Sequence, residues 1–199
     1  MNKVVNKTQT KLPDRYEYRL DLHKAATPRL LKSHPIHHWF FFPHSYSPEL
    51  VEAVLDDWGL PEESKLIDPF VGAGTTLLVA RECGLSATGF DLSPVSILVS
   101  NAKVRDYDIK TICHALGTVI SPPEKSITEL TWKSERMKRA LSESERSEFW
   151  NLRQAILKQP RDVRDLLLVA LIRIVRDFSR AVSDGGWFRW VEKPDQGNR

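Results

Sequence analysis

The stretch Leu66-Ile67-Asp68-Pro69-Phe70-Val71-Gly72-Ala73-Gly74-Thr75-Thr76 gathers residue types that can hold a ligand. Glycines at 72 and 74 let backbone approach a bound group closely and accept dihedrals that other residues resist. A helix predicted to begin at Thr75-Thr76 turns its free N–H groups and the positive end of its dipole towards a carboxylate or phosphate. A second carboxylate, Asp91, lies 91 − 74 = 17 residues beyond the second glycine. At the tip of a strand it can accept both hydroxyls of a ribose.

The elements that must position these groups follow from the same residues. Lys65 to Asp68 reads as a short strand ending in a carboxylate, and Phe70 to Gly74 as a tight turn. Thr75 to Cys83 is a helix closed by Gly84, and Ser86 to Asp91 is a second strand ending in an acid. Ser93-Pro94 caps a helix that runs to about Lys103. Upstream, Ser47-Pro48 starts another helix, with Leu50, Val51, Val54, Leu55 and Trp58 at helical spacing and a stop at Gly59 and Pro61. Strand, glycine turn, helix, strand, acid, helix is the opening of a parallel doubly wound sheet. The expected fold class is therefore α/β, with a Rossmann-like parallel sheet. That sheet is expected to be incomplete, since two strands are legible where such folds carry roughly five or more.

Three ligand classes compete for the turn. A P-loop needs Lys-Ser/Thr after its last glycine, and Thr75-Thr76 is not that. A dinucleotide site wants a third glycine where Leu77 stands. Asp68 at the strand end would set like charge against a pyrophosphate. It favours a ligand with cationic groups, such as the ammonium and sulfonium of S-adenosylmethionine.

Asp68-Pro69-Phe70-Val71-Gly72-Ala73-Gly74-Thr75-Thr76 resembles the Asp-Pro-Phe-x-Gly-Ser/Ala-Gly-Thr-Thr motif of amino-DNA methyltransferases, which methylate N6 of adenine or N4 of cytosine. Gly89-Phe90-Asp91-Leu92-Ser93-Pro94 is similar to that family's second motif, whose acid holds the cofactor ribose. Phe42 to Leu55, centred on Ser47-Pro48-Glu49-Leu50-Val51, resembles its aromatic-proline segment and helix start, which line the methionine end of the cofactor. The resemblance covers about residues 37–104, and a looser one extends to tRNA guanine methyltransferases. It implies S-adenosylmethionine as cofactor, a class I methyltransferase-like sheet, and DNA as partner. Asp68, Pro69, Phe70, Gly72, Gly74, Thr75 and Thr76 would seat the methionine moiety, with Asp68 towards its ammonium. Asp91 and Leu92 would serve the ribose motif, and Ser47 the upstream one.

The same family catalyses with Asp/Asn/Ser-Pro-Pro-aromatic at the end of its fourth strand. Its polar residue and prolyl carbonyl hold the target amine, and its aromatic residue stacks on a flipped base. The sequence has one Pro-Pro pair, in Ser121-Pro122-Pro123-Glu124. Leu116 to Ile120 before it reads either as a strand or as the end of a helix broken at Gly117. Glu124 cannot stack on a base, and a proline-terminated loop is the better reading. The expectation is a DNA methyltransferase of the restriction-modification kind in truncated or split form, with a second methyltransferase subunit supplying the catalytic motif. The alternatives are a non-catalytic methyltransferase-like binding or assembly subunit, and an RNA methyltransferase.

Other residues are less telling. His34, His37, His38 and His44 lack the helical alignment and the accompanying cysteine or acid of a metal site, so no metal is expected. Phe40 to Phe42 read as core ahead of a capped helix. Asp162 to Val182 reads as a long helix, with Arg173, Arg176 and Arg180 on one stripe that either tracks phosphates or is a solvated face. Trp187, Phe188 and Trp190 form a second aromatic cluster, and the residues after it look loose.

The chain has 199 residues, 41% hydrophobic and 28% charged, a balance that excludes collagen, low-complexity disorder and a disulfide-stapled miniprotein. Its two cysteines, Cys83 and Cys113, fit a reducing, cytoplasmic compartment. No apolar leader is legible, and the most apolar stretch, Leu166 to Ile172, is too short to cross a bilayer, so no membrane partner is expected. Net charge is only +3, but residues 1–32 carry 8 − 3 = +5. The expected division is a basic arm over 1–32, largely solvated, a cofactor-binding part over 33–120, and a helical segment and tail over 121–199.

Overall fold

The computed structural model of the chain describes residues 19–61, 63–121, 134–183 and 188–193. It is a mixed α/β chain, mostly helical. Three 3-10 turns, Leu20–His23, Pro28–Ser33 and His37–Trp39, precede α1 (Pro48–Trp58). Then come β1 (Lys65–Asp68), α2 (Thr75–Glu82), β2 (Ser86–Gly89), α3 (Pro94–Lys103) and α4 (Ile109–Ile120). The remaining elements are α5 (Glu135–Ala140), α6 (Glu143–Leu157), α7 (Arg161–Phe178), β3 (Ala181–Ser183) and β4 (Phe188–Trp190).

β1 and β2 pair in parallel, from Lys65 opposite Ser86 to Asp68 opposite Gly89, with α2 as the crossover between them. This is the strand–turn–helix–strand unit expected from the sequence. Among the described residues each of the two strands pairs only with the other, so each keeps one edge free. Ile67 on β1 is 71% exposed.

Three apolar clusters hold the elements. Val51 and Leu55, four apart on α1, pack on Val79 of α2 with Tyr46 and Leu66. Val99 and Ala102 of α3 meet Val169 of α7, with Trp39 and Phe40 against them. Ala115 and Val119 of α4 join Ile156 of α6 and Val163, Leu167 and Leu171 of α7. α7 thus touches both the sheet-side helices and the helical group.

Two expectations are corrected. Leu116 to Ile120 is not a strand: α4 continues unbroken through Gly117 to Ile120, because Ile112, Ala115 and Val119 present one apolar stripe to α6 and α7. α7 ends at Phe178 instead of continuing to Val182. Ala181–Ser183 is extended and pairs antiparallel with Phe188–Trp190, so Phe188 and Trp190 of the second aromatic cluster lie on a strand, while Trp187 lies outside the described residues. What stops α7 is Arg180, whose N–H donates to the Ala140 carbonyl (2.8 Å) and whose guanidinium reaches Glu145 (2.7 Å). Arg180 therefore leaves the stripe of Arg173 and Arg176. Within the basic segment, Leu20–His23 and Pro28–Ser33 are 3-10 turns, with Ala25 and Leu31 buried.

Among the described residues no helix is long and apolar enough to cross a membrane.

Candidate functional site

The glycine turn is built by the β1–β2 ladder running past its strands. Phe90 N–H donates to the Asp68 carbonyl (2.8 Å) and Val71 N–H to the Phe90 carbonyl (2.8 Å). Gly72 and Gly74 have φ of +50° and +79°, the left-handed region that side chains resist. A Cβ on Gly74 would lie 2.7 Å from Ser100 Cβ and 2.8 Å from its Cα, so the absence of a side chain also lets α3 come against the turn. Gly74 is the N-cap of α2, and no side chain caps that helix start. Its first N–H groups are therefore available to a ligand.

The two acids stand at the two strand ends. Asp91 accepts from Gly72 N–H (2.9 Å) on one oxygen and from Ser93 N–H (2.8 Å) on the other. These backbone donors, Ser93 first, hold its carboxyl below the usual range, so it stays charged. The Ser96 side chain is a further donor to it. Asp68 accepts from Phe70 N–H (3.0 Å) and from the Tyr46 hydroxyl (3.3 Å). Around them Phe70, Phe90 and Leu92 are exposed, at 84%, 57% and 102%, an apolar rim at the C-terminal ends of both strands.

The structure brings Asp68, Pro69, Phe70, Gly72, Gly74, Thr75, Thr76, Asp91 and Leu92 to one end of the parallel pair. It adds Tyr46, which sequence reasoning missed. The Tyr46 hydroxyl bridges Asp68 and Thr76 Oγ1 (2.5 Å), while Thr75 Oγ1 donates to the Tyr46 carbonyl (3.4 Å). Burial pushes the Tyr46 phenol up, and the neighbouring Asp68 carboxylate adds to this, so it stays a proton donor. The signal for it was faint, one tyrosine at the end of an aromatic run.

Ser47 turns the other way. Its fully buried hydroxyl donates to the Thr27 carbonyl (2.7 Å) and accepts from Leu30 N–H (3.3 Å), tying the 3-10 segment to the start of α1. Ser121 caps the end of α4, its hydroxyl donating to the Gly117 carbonyl (2.7 Å), while Pro122 and Pro123 lie outside the described residues. His34 bonds Glu49 (3.0 Å), and His37 is buried above Lys103, whose Nζ donates to the His37 carbonyl (3.0 Å). Among the described residues no group of three or more His, Cys, Asp or Glu is arranged to hold a metal ion.

Similarity to known proteins runs through this region. Type II methyltransferase M.BsoBI of Geobacillus stearothermophilus is 28% identical over 178 residues, covering 84% of this chain and 34% of that protein. M.MvaI of Kocuria varians is 30% identical over 130 residues, 64% of this chain and 26% of that protein. M.MjaII of Methanocaldococcus jannaschii is 43% identical over 47 residues, 24% of this chain and 9% of that protein. The chain spans about a third or less of the length of these three relatives. No family model matches it, and no solved structure matches it significantly. Taken with the turn between Asp68 and Thr76, these similarities relate the chain to Type II methyltransferases.

Proposed function

We propose that this chain is the S-adenosylmethionine-binding, Rossmann-like part of a DNA methyltransferase acting on an exocyclic amine of adenine or cytosine, as in bacterial restriction-modification. The observation that carries the reading is the uncapped start of α2, with Gly72 and Gly74 in left-handed backbone between two strand-end carboxylates. The residues fit the cofactor. Asp91 is oriented and kept ionised by backbone donors, as a ribose acceptor must be. Asp68 offers charge to an ammonium, and Tyr46 fixes Asp68 against Thr76. The exposed rim of Phe70, Phe90 and Leu92 offers a face for a flat base. When bound, S-adenosylmethionine supplies an electrophilic methyl group on sulfonium. The chain's own contribution is to hold the donor in a fixed line and exclude water from it.

The acceptor side comes from elsewhere. Ser121 ends a helix, not a strand, and the sequence has no other Pro-Pro pair. The free edge of β1 offers room for the strand that would carry a Pro-Pro-aromatic motif, whether in a longer chain or a second subunit.

Two measurements test this. Calorimetry should show S-adenosylmethionine binding more tightly than NAD or ATP, with Asp91→Ala weakening it roughly ten- to hundred-fold, as for lost bonds to a charged group. Equal or tighter NAD binding sinks the cofactor assignment. Transfer of labelled methyl to mixed-sequence DNA should be undetectable for residues 1–199 alone and appear with a polypeptide bearing the Pro-Pro-aromatic motif. Activity of the lone chain that vanishes in Ser121→Ala would make Ser121 catalytic after all.

A further inference from the structure

Pro28–Ser33 and α7 face each other across an open cleft of about 600 Å³. Arg29 and Lys32 line one side and Arg173 and Arg176 the other. Each pair is three apart in sequence. In a 3-10 turn residues three apart eclipse, and on an α-helix they are surface neighbours, so both pairs point their charges into the same space. His38 and Phe41 form the floor, with the Arg176 guanidinium 5.3 Å from the Phe41 ring centre. Asp177 is the one acid in the lining.

Among the described residues, Arg29, Lys32, Arg173 and Arg176 make no ion pair, and Asp177 is the one carboxylate beside them. Four cations converging beside one carboxylate repel one another at a cost that a bound polyanion would remove. What separates this cleft from an ordinary charged surface is that its cations are pre-positioned. Leu31 is buried between Arg29 and Lys32, and the buried Ser47 hydroxyl pins the same turn through Thr27 and Leu30.

The cleft is coupled to the glycine turn by two pairs of consecutive residues. Phe41 lines the cleft while Phe42 packs on Gly72, 3.7 Å from where its Cβ would be. Ser47 holds the cationic turn while Tyr46 bonds Asp68 and Thr76. A polyanion held here lies next to the proposed methyl donor.

We infer that this cleft, formed by Arg29 and Lys32 from one side and Arg173 and Arg176 from the other, binds the phosphate backbone of duplex DNA. The inference rests on the proposed function for its choice of polyanion, but not for the geometry of the cleft. It gives the folded end of the basic arm and the arginine stripe of α7 one shared task.

The test is duplex binding by the full chain as a function of salt. Arg29→Ala/Lys32→Ala and Arg173→Ala/Arg176→Ala should each lower the slope of log affinity against log salt by about one to two, since each lost phosphate contact removes about 0.9. Affinity near 0.1 M salt should fall about ten-fold or more in each. Asp177→Asn, which removes only a surface carboxylate, should tighten binding a few-fold and guards against variants that fail to fold. Unchanged slopes in both double variants, or no duplex binding by the parent chain at low salt, overturn the inference. Tighter binding of single-stranded RNA than of duplex overturns its choice of ligand. S-adenosylmethionine calorimetry on the same samples keeps the two readings apart. Retained cofactor binding with unchanged slopes condemns the cleft, and lost slopes in a parent that never binds cofactor condemn the donor site.

Discussion

Lys103 is costly to keep charged. It is 1% exposed, and among the described residues its ammonium donates to the His37 carbonyl alone. Burial lowers it to about 8. His37, 2% exposed, is lowered to about 4, by burial first and then by the nearby Lys103 charge. Both bases hold their protons more weakly when folded than when unfolded, so protonation favours the unfolded chain. This pair should therefore raise stability with pH from about 4 up to ~6.5, the free histidine value, and again from about 8 up to ~10.4, the free lysine value. Each step corresponds to roughly 3 kcal/mol at most. Below the lower value of each step the full penalty is present. Lys103→Met should gain about 1–2 kcal/mol at pH 7, less than the step because the His37 carbonyl loses its donor. It should also abolish the rise above pH 8, read by urea melts at pH 7 and 10. A variant with the parental rise would show that another group titrates there. No sequence pattern announced this pair: Lys103 stood at a helix end, where lysine is usually solvated. The same is true of Tyr46, whose partners Asp68 and Thr76 lie 22 and 30 residues away.

At the scale of elements, the seat for the cofactor is a packing event between α2 and α3. Gly74 carries both the left-handed backbone that starts α2 and the contact with Ser100 on α3. Gly74→Ala should cost about 3 kcal/mol, from the strained dihedral and the displacement of α3 together. Ser100→Gly should restore only part of this, because the Ser100 Cα is itself 2.8 Å from the new methyl group. Thermal melts of the single and double variants measure both, and full rescue would mean that backbone strain contributes nothing. These elements were legible in the sequence because their determinants are local: glycine turns, the Ser93 cap and strand-end acids within 30 residues. Residues 116–120 and 179–190 were not. Leu116 to Ile120 fits either period over five residues, and the stripe of Ile112, Ala115 and Val119 decides for helix only once α6 and α7 are there to bury it. The β3–β4 hairpin is three residues a side, and it is placed by Arg180 reaching the carboxylate of Glu145, 35 positions earlier.

At the scale of the whole molecule, the two ends of the described chain converge. The Pro28–Ser33 turn faces α7 across the cationic cleft, and Trp39 and Phe40 between them pack on α3 and α7, so the segments flanking the parallel pair build one surface on it. The sequence showed both sets of cations but not their meeting, because that depends on how α7 crosses α3. The sheet itself is left narrower than its content. Among the described residues, β1 and β2 each have one edge that no strand pairs, beside Ile67 at 71% and Trp58 at 65% exposed. Such an edge is a template for any extended strand, including the same strand of another copy. Residues 1–199 held at high concentration should therefore grow oligomers by edge-to-edge pairing, and light scattering should rise with concentration. Ile67→Lys should suppress this without unfolding the chain. Equal scattering by parent and variant would mean the edge is already covered. A strand bearing the acceptor residues would then do double duty, completing the reaction and keeping its partner in solution.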